Sequence, residues 1–114
     1  MTIRESNVTI MVKSMDASVS FYESIGLTLK NRWGEHYAQL TAPGVIIGLH
    51  PAKEDNSKGS GNISIGFTVD NFEEAGTLLK KLSIKTHSWE DKAGDYLHFT
   101  DLDGTILYFM RSKY

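Results

Sequence analysis

The sequence predicts an α+β fold of two tandem βαβββ modules, and two observations carry that prediction. First, an alternating apolar run followed by a helical pattern occurs twice, at 7–26 and at 62–82. Second, Val12 and Val69 hold equivalent places 57 residues apart (69 − 12), half of the 114-residue chain. A half-length offset indicates a duplicated module. We therefore expect a curved, mostly antiparallel sheet with the helices on its outer face.

Composition narrows the class of protein. A chain of 114 residues is the size of one domain, which we divide into module one (7–50), a linker (51–61) and module two (62–111). It has no cysteine, which excludes disulfides and thiolate chemistry, and its formal net charge of −2 gives no reason to expect a nucleic-acid partner. No apolar run approaches the roughly 18 residues of a membrane span. We expect a cytoplasmic protein with no membrane partner.

Module one begins with a strand over 7–12 and continues with a helix from about Met15. Ser14 or Asp16 is placed to cap the first amides of that helix. Gly26 supplies the left-handed residue that ends it. Val19, Tyr22 and Ile25 are expected to form its buried stripe, with Phe21 beside it. Three strands follow at about Thr28–Arg32, Glu35–Leu40 and Val45–His50, and the turn Ala42-Pro43-Gly44 joins the last two.

Module two follows the polar, Gly- and Ser-containing segment Pro51–Gly61, which reads as a connection between modules. Its first strand starts at Asn62. Asp70 and Glu73 fit a capping box at the start of the helix. The buried stripe of that helix is predicted to be Ala75, Leu78, Leu79 and Leu82, with Lys80 and Lys81 at its C-terminal end. The remaining strands are predicted at Ile84–Ser88, Tyr96–Thr100 and Thr105–Met110, the last two joined by the tight turn Asp101-Leu102-Asp103-Gly104.

Alternation along the strands separates two faces. The apolar face, expected to bury against the helices, is Val8, Ile10, Val12, Val45, Ile47, Leu49, Ile63, Ile65, Phe67, Val69, Leu97, Phe99, Leu107 and Phe109. The mixed face is Asn7, Thr9, Met11, Ile46, Gly48, His50, Ser64, Gly66, Thr68, Tyr96, His98, Thr100, Ile106, Tyr108 and Met110. Such a face suits a sheet that encloses a small-molecule cleft, but a solvated face or a dimer interface explains it equally.

Two segments carry a family resemblance. Ser18-Val19-Ser20-Phe21-Tyr22 with Gly26-Leu27 resembles S-x-x-F-Y…L-G, and Asp101-Leu102-Asp103-Gly104 resembles D-P-D-G, both motifs of the vicinal oxygen chelate superfamily. That superfamily includes glyoxalases, bleomycin-resistance proteins, fosfomycin-resistance enzymes and extradiol dioxygenases. The resemblance runs from Asn7 to about Arg111. It implies the fold given above and a homodimer.

The resemblance also implies where metal ligands would lie. In metal-dependent members, His, Glu or Gln ligands come from the first and fourth strands of each module. The corresponding residues here are Asn7, Gly48, Ser64 and Tyr108. None is a usual ligand of Zn²⁺, Ni²⁺ or Fe²⁺, so we expect no metal and no cofactor. The metal-dependent chemistry of those relatives is then not inherited.

The leading hypothesis is a metal-free protein of the bleomycin-resistance-like type that sequesters a small organic ligand. Such a protein needs aromatic faces and a few polar anchors. The residues expected to bind the ligand are Asn7, Met11, Trp33, Tyr37, Gly48, His50, Ser64, Trp89, Tyr96, His98 and Tyr108. The two tryptophans hold similar places in the two modules, where they stack on a flat ligand or pack at an edge or a dimer contact.

Two other classes of function stay open. One is a lyase or isomerase in which His50 or His98 acts as a general base, or in which both hold a relocated metal with Glu35. The other is a dimeric module whose cleft is vestigial and which contacts another protein. His36 and His87 are expected to be exposed strand residues.

Overall fold

The computed structural model describes residue 2, residues 7–52 and residues 63–113. The elements of the first half are β1 (Val8–Val12), α1 (Met15–Ser24), β2 (Thr28–Trp33), β3 (Tyr37–Ala42) and β4 (Val45–Pro51). Those of the second half are β5 (Ser64–Thr68), α2 (Phe72–Lys81), β6 (His87–Glu90), β7 (Gly94–Thr100) and β8 (Ile106–Ser112). The predicted linker lies outside the described residues from 53 onward. Neither helix is long and apolar enough to cross a membrane.

The chain forms two compact units with one βαβββ module in each. Unit 1 spans Met1–Gly61 with Asp101–Thr105, and unit 2 spans Asn62–Thr100 with Ile106–Tyr114. The strand order is β1-β4-β3-β2 in unit 1 and β5-β8-β7-β6 in unit 2. In each sheet the first and fourth strands of the module pair in parallel, and the other pairs are antiparallel. The α+β prediction of two tandem βαβββ modules is confirmed, with one four-stranded sheet in each module.

Helix α1 begins and ends where the sequence predicts. Of the two candidate caps, Ser14 is the one used, since its hydroxyl accepts a hydrogen bond of 3.2 Å from the Ala17 N–H. Gly26 follows the helix with φ of +115°, in the left-handed region. The predicted stripe Val19, Tyr22 and Ile25 is buried, and Phe21 is half-buried beside it.

Two details of helix α2 differ from the prediction. Its N-cap is Asn71, whose side chain accepts a 3.0 Å hydrogen bond from the Glu74 N–H, so the Asp70–Glu73 capping box is wrong by one residue. Asn71 is the last extended residue before the helix, which is the geometry a cap requires. Leu82 is 37% exposed because it lies past the last helical turn, whereas Leu79 is fully buried.

The strand before β7 also begins later than predicted. The Ile84 N–H donates to the carbonyl of Leu79 at 2.9 Å, so this residue closes the end of α2 and is not available to a strand. Pairing with β7 therefore starts only at His87 and continues to Glu90. On the other side of the helix, Ile63 precedes β5 and is 39% exposed, although the alternation placed it on the buried face.

Apart from that residue, the two faces follow the alternation. The buried side of the sheets includes Ile10, Val12, Ala38, Leu40, Ile47 and Leu49 in unit 1, and Ile65, Leu97, Phe99, Leu107 and Phe109 in unit 2. The opposite sides are less buried, and we call them the open faces. The open face of unit 1 carries Thr9, Met11, Trp33, Tyr37, Gln39, Gly48 and His50. The open face of unit 2 carries Ser64, Gly66, His87, Trp89, Tyr96, His98, Thr100, Ile106 and Tyr108.

The predicted tight turn after β7 contains a buried carboxylate network that belongs to unit 1. Asp101 accepts a 2.7 Å hydrogen bond from the Tyr22 hydroxyl and bonds of 2.9 and 2.8 Å from the N–H groups of Asp103 and Thr105. Gly104 has the predicted positive φ, +90°. Burial, followed by the Asp101 carboxylate, raises the pKa of the Tyr22 hydroxyl. This turn is therefore fixed to helix α1 by a charge-assisted hydrogen bond.

Candidate functional site

Four rings lie side by side on the open face of unit 2, and we call them the aromatic ladder: Trp89, Tyr96, His98 and Tyr108. Trp89 stacks on Tyr96 with ring centroids 4.9 Å apart and planes 18° from parallel. His98 lies 5.1 Å from Tyr108, and Tyr96 meets Tyr108 edge-on at 5.9 Å. Contacts of this length are favourable aromatic pairs. The ladder crosses three strands and joins four of the residues that the sequence predicts to bind a ligand.

Strand register explains why these rings meet. Trp89 on β6 lies opposite Tyr96 on β7, and His98 on β7 lies opposite Tyr108 on β8. Cross-strand neighbours on one face are close enough for their side chains to touch. On the far side, the Tyr108 ring lies over Gly66 of β5, where a Cβ atom would collide with it. Gly66, which is not among the residues predicted to bind a ligand, thus leaves the space that the Tyr108 ring fills.

A hydrogen bond fixes the orientation of two rings of the aromatic ladder, those of Trp89 and His98. The indole Nε1–H of Trp89 donates to Nδ1 of His98 at 3.1 Å. Because an indole nitrogen only donates, Nδ1 of His98 is the acceptor, and the neutral ring carries its proton on Nε2. His98 therefore offers an N–H donor at Nε2, and its Nδ1 lone pair is engaged.

Tyr96 is oriented by a carboxylate. Its hydroxyl donates to Asp91 Oδ1 at 3.1 Å, and that oxygen also accepts from the N–H groups of Ala93 and Gly94. Burial acts against ionisation of Asp91, but the two backbone hydrogen bonds and the Tyr96 hydroxyl lower its pKa overall. Burial, followed by the Asp91 hydrogen bond, raises the pKa of Tyr96. This pairing keeps Tyr96 a protonated donor with a fixed ring plane.

The open face of unit 1 has a smaller and more polar arrangement. Trp33 packs on Tyr37 with centroids 5.8 Å apart and planes 30° from parallel. The Tyr37 hydroxyl lies 3.2 Å from Thr9 Oγ1, which in turn donates to Asn7 Oδ1 at 3.4 Å. That hydroxyl occupies the space in front of Gly48, where a Cβ atom would collide with it. The structure thus brings together four further predicted residues in one network.

The remaining predicted residues lie elsewhere on these faces. Met11 is the register partner of His50 on neighbouring strands of unit 1. His50 Nδ1 lies 2.8 Å from the carbonyl oxygen of Pro51, which only accepts, so Nδ1 carries the proton. Ser64 is exposed on β5, opposite Ile106 of β8. None of these contacts indicates a catalytic group.

The residues at the family's ligand positions do not fit a transition metal. Tyr37 fills the space in front of Gly48, and Asn7 is hydrogen-bonded to Thr9. Glu35, considered as a relocated ligand, pairs with Arg32 at 3.1 Å. Over 7–52 and 63–113, no group of three or more His, Asp or Glu side chains is placed to hold a metal ion. A transition-metal centre needs several such donors around one point.

Two grooves flank the ladder within unit 2. The larger, about 400 Å³, is lined by Lys85, Thr86, His87, His98, Phe99, Thr100 and Ile106, and we call it the β6–β7 groove. The smaller, about 250 Å³, is lined by Phe72, Ser88, Trp89, Glu90, Asp95 and Tyr96. Lys85 is not among the residues that the sequence predicts to bind a ligand, and His87 is predicted only as an exposed strand residue. His87 is two residues before Trp89 on the same strand, so strand alternation already places it on the same face as the aromatic ladder.

Comparisons with known proteins identify the family to which the chain belongs. The model of the Glyoxalase/Bleomycin resistance protein/Dioxygenase superfamily matches residues 6–107. A comparison with curated proteins gave no match. Among solved structures, the chain is similar to the fosfomycin resistance protein FosX from Listeria monocytogenes, with a TM-score of 0.80 and 15% identity over 99% of this chain and 96% of that one. Another structure of FosX is described as a complex with Mn(II) and sulfate.

Two other solved structures are similar in fold. One is a glyoxalase family protein from Bacillus cereus, with a TM-score of 0.73 and 20% identity over 98% of this chain and 95% of that one. The other is a glyoxylase/bleomycin resistance protein/dioxygenase domain from Frankia sp. EAN1pec, with a TM-score of 0.74 and 21% identity over 99% of this chain and 100% of that one. At these identities the likeness shows a shared fold.

Proposed function

Because the chain belongs to the glyoxalase/bleomycin resistance protein/dioxygenase superfamily, we propose that it is a metal-free binding protein that sequesters a small organic ligand. The observation that carries this proposal is the aromatic ladder on the open face of unit 2. A stack of rings held in place by hydrogen bonds is a prepared surface for a flat molecule, since little rotamer freedom is left to lose on binding.

Trp89 is the exposed end of that stack. Its side chain is 47% exposed although one ring face is stacked on Tyr96. An additional aromatic contact contributes about 0.5–1.5 kcal/mol beyond the area it buries. A flat ligand that covers Trp89 gains this contact and removes an apolar surface from water. We therefore place the body of the ligand against Trp89.

The metal-free part of the proposal follows from donor chemistry. FosX, similar in fold, is described with Mn(II). In this chain the family's ligand positions hold Asn7, Gly48, Ser64 and Tyr108, a set poorly suited to bind such an ion. A lyase or isomerase with His98 as base is the competing function. It requires a tautomer change, because Nδ1 of His98 accepts from Trp89 and Nε2 carries the proton.

The experiment compares the two tryptophans, which occupy equivalent places in the two modules. Binding of 2-naphthamide, a flat neutral probe, is measured by calorimetry for the natural protein, Trp89→Leu and Trp33→Leu. We expect Trp89→Leu to weaken binding by about tenfold, while Trp33→Leu changes it by less than about twofold. Equal losses in both variants, or no binding of either 2-naphthamide or the matching carboxylate 2-naphthoate by the natural protein, would overturn the proposal.

Elemental analysis of the same protein, purified without added metal salts, tests the competing enzyme. We expect Mn, Fe, Ni and Zn to be far below one ion per chain. One tightly bound ion per chain that is lost in His98→Ala would establish the metal-dependent alternative and remove the metal-free assignment.

We also propose that the protein is a cytoplasmic homodimer. Trp33 is 52% exposed and leaves aromatic surface in water that a second copy would cover. Aromatic residues are enriched in such interfaces. Light scattering over a dilution series is expected to give twice the chain mass, and a monomer at all concentrations would refute this part.

A further inference from the structure

We propose that the ligand bound at unit 2 is an organic anion whose charged group lies in the β6–β7 groove. This inference rests on the proposed binding function and adds the charge of the ligand and the place of its head group. The groove shares His98 with the aromatic ladder, so one molecule can contact both.

The groove exists because β6 is shorter than β7. Pairing between the two strands ends at His87 and His98, and Phe99 and Thr100 continue past that point. Beside this unpaired end lie Lys85 and Thr86, which precede β6. A groove of about 400 Å³ falls within the range of small-molecule sites.

The titratable side chains of the groove are all basic. Lys85, His87 and His98 line it, and no carboxylate does. Two carboxylates elsewhere in unit 2 have partners of their own, since Asp95 pairs with Arg111 at 3.0 Å and Glu90 with Lys113 at 2.8 Å. Among the described residues, Lys85 has no ion-pair partner. Its positive charge is therefore uncompensated and favours an anion.

The imidazole chemistry also favours an anion. With Nδ1 accepting from Trp89, neutral His98 carries its proton on Nε2 and offers an N–H donor there. His87 lies directly opposite it across the two strands. Hydrogen bonds to a carboxylate are stronger than those to a neutral acceptor. Phe99 and Ile106 supply the apolar wall against which an organic body can lie.

The test uses two probes of the same shape, 2-naphthoate and 2-naphthamide, which differ in charge. We expect the natural protein to bind the carboxylate about tenfold more tightly than the amide. In Lys85→Met and His87→Gln this preference should fall to about twofold or less. Lys92→Met removes a lysine of the same unit that does not line the groove, and it should keep the full preference. Thermal melting confirms that each variant is folded.

The outcomes of this experiment distinguish the inference about an anion from the proposed binding function. If both probes bind equally well, the anion inference is overturned and the binding function stands. Should neither probe bind, the proposed function at unit 2 fails with it. A Lys92→Met variant that loses as much preference as Lys85→Met would show that general surface charge is responsible, and the groove would no longer explain the selectivity.

Discussion

The open faces of the two modules share one pair of aromatic residues but differ in the residues that surround it. In each, a second-strand tryptophan packs on a third-strand tyrosine: Trp33 on Tyr37 in unit 1 and Trp89 on Tyr96 in unit 2. In unit 1 the tyrosine hydroxyl ends in a polar network over a glycine, whereas in unit 2 the stack continues into His98 and beyond. Duplicated backbones therefore support one polar face and one aromatic face.

Two facing positions on the third and fourth strands account for much of that difference. Gly48 lies opposite Gln39 on β3, and Tyr108 lies opposite His98 at the corresponding place on β7. Glycine leaves room for the Tyr37 hydroxyl, while tyrosine adds a ring to the ladder. The two surfaces thus differ at a facing pair of residues, Gln39 with Gly48 in unit 1 and His98 with Tyr108 in unit 2.

The two helices also differ, since α1 buries a polar side chain where α2 buries an apolar one. Tyr22 in α1 and Leu79 in α2 are 57 residues apart, and both are fully buried. Leu79 contributes only apolar contacts, but Tyr22 donates to the Asp101 carboxylate. A buried polar network is sensitive to loss of one partner, because the others are left unpaired.

The largest expected effect is therefore in unit 1. Asp101→Ala leaves the Tyr22 hydroxyl and the N–H groups of Asp103 and Thr105 without their acceptor, and it should lower the free energy of unfolding by about 3 kcal/mol or more. Tyr22→Phe removes one bond and should cost about half as much. Urea denaturation measures both. A loss below about 1 kcal/mol in Asp101→Ala would contradict a structural role for this network.

The next largest loss of stability is expected at Gly48 and Gly66, where an added methyl group would collide with a tyrosine side chain. Gly48→Ala should destabilise the protein by about 1–3 kcal/mol because the new methyl group displaces the Tyr37 hydroxyl. In a Tyr37→Ala background the same change should cost much less. These measurements form a double-mutant cycle, and Gly66→Ala with and without Tyr108→Ala gives the corresponding cycle in unit 2. Additive losses in either cycle would mean that ring and glycine are not in contact.

A smaller effect distinguishes the two histidines. His98→Leu removes the acceptor of the Trp89 N–H and should cost about 0.5–1.5 kcal/mol of stability. His50→Leu, which breaks only a bond to the neighbouring Pro51 carbonyl on an exposed residue, should cost less than about 0.5 kcal/mol. Denaturant titration of the two variants under one condition provides the comparison, and equal losses would show that the ladder is not fixed by this bond.

The smallest effect is a gain in stability that depends on pH. Burial, with the nearby Asp101 carboxylate, raises the pKa of Asp103 against the opposing Lys13 N–H bond. A raised carboxyl pKa means that the folded state favours the protonated form, so stability falls as pH rises above the ordinary value of 3.8. Asp103→Asn should therefore stabilise the protein at pH 7 by about 1 kcal/mol or less. The gain should vanish below that ordinary value, and a gain that persists in acid would contradict the charge explanation.

Several features followed directly from local sequence. Periodicity gave the two modules, and strand alternation gave nearly all of the buried face, because side-chain direction is set by backbone geometry within one element. The helix end at Gly26 and the turn at Gly104 were predicted because few other residues adopt positive φ at low cost. The α2 cap and the start of β6 were misplaced by one to three residues, since neighbouring residues compete for the same hydrogen bonds.

The sequence by itself determined the doubled βαβββ order and which face of each strand is apolar. Only the tertiary structure decided that Trp89, Tyr96, His98 and Tyr108 form one ladder, that Tyr37 fills the space at Gly48, and that the end of β6 opens a basic groove. The physical reason is that alternation assigns a side chain to a face, whereas strand register and strand length decide which side chains meet across neighbouring strands.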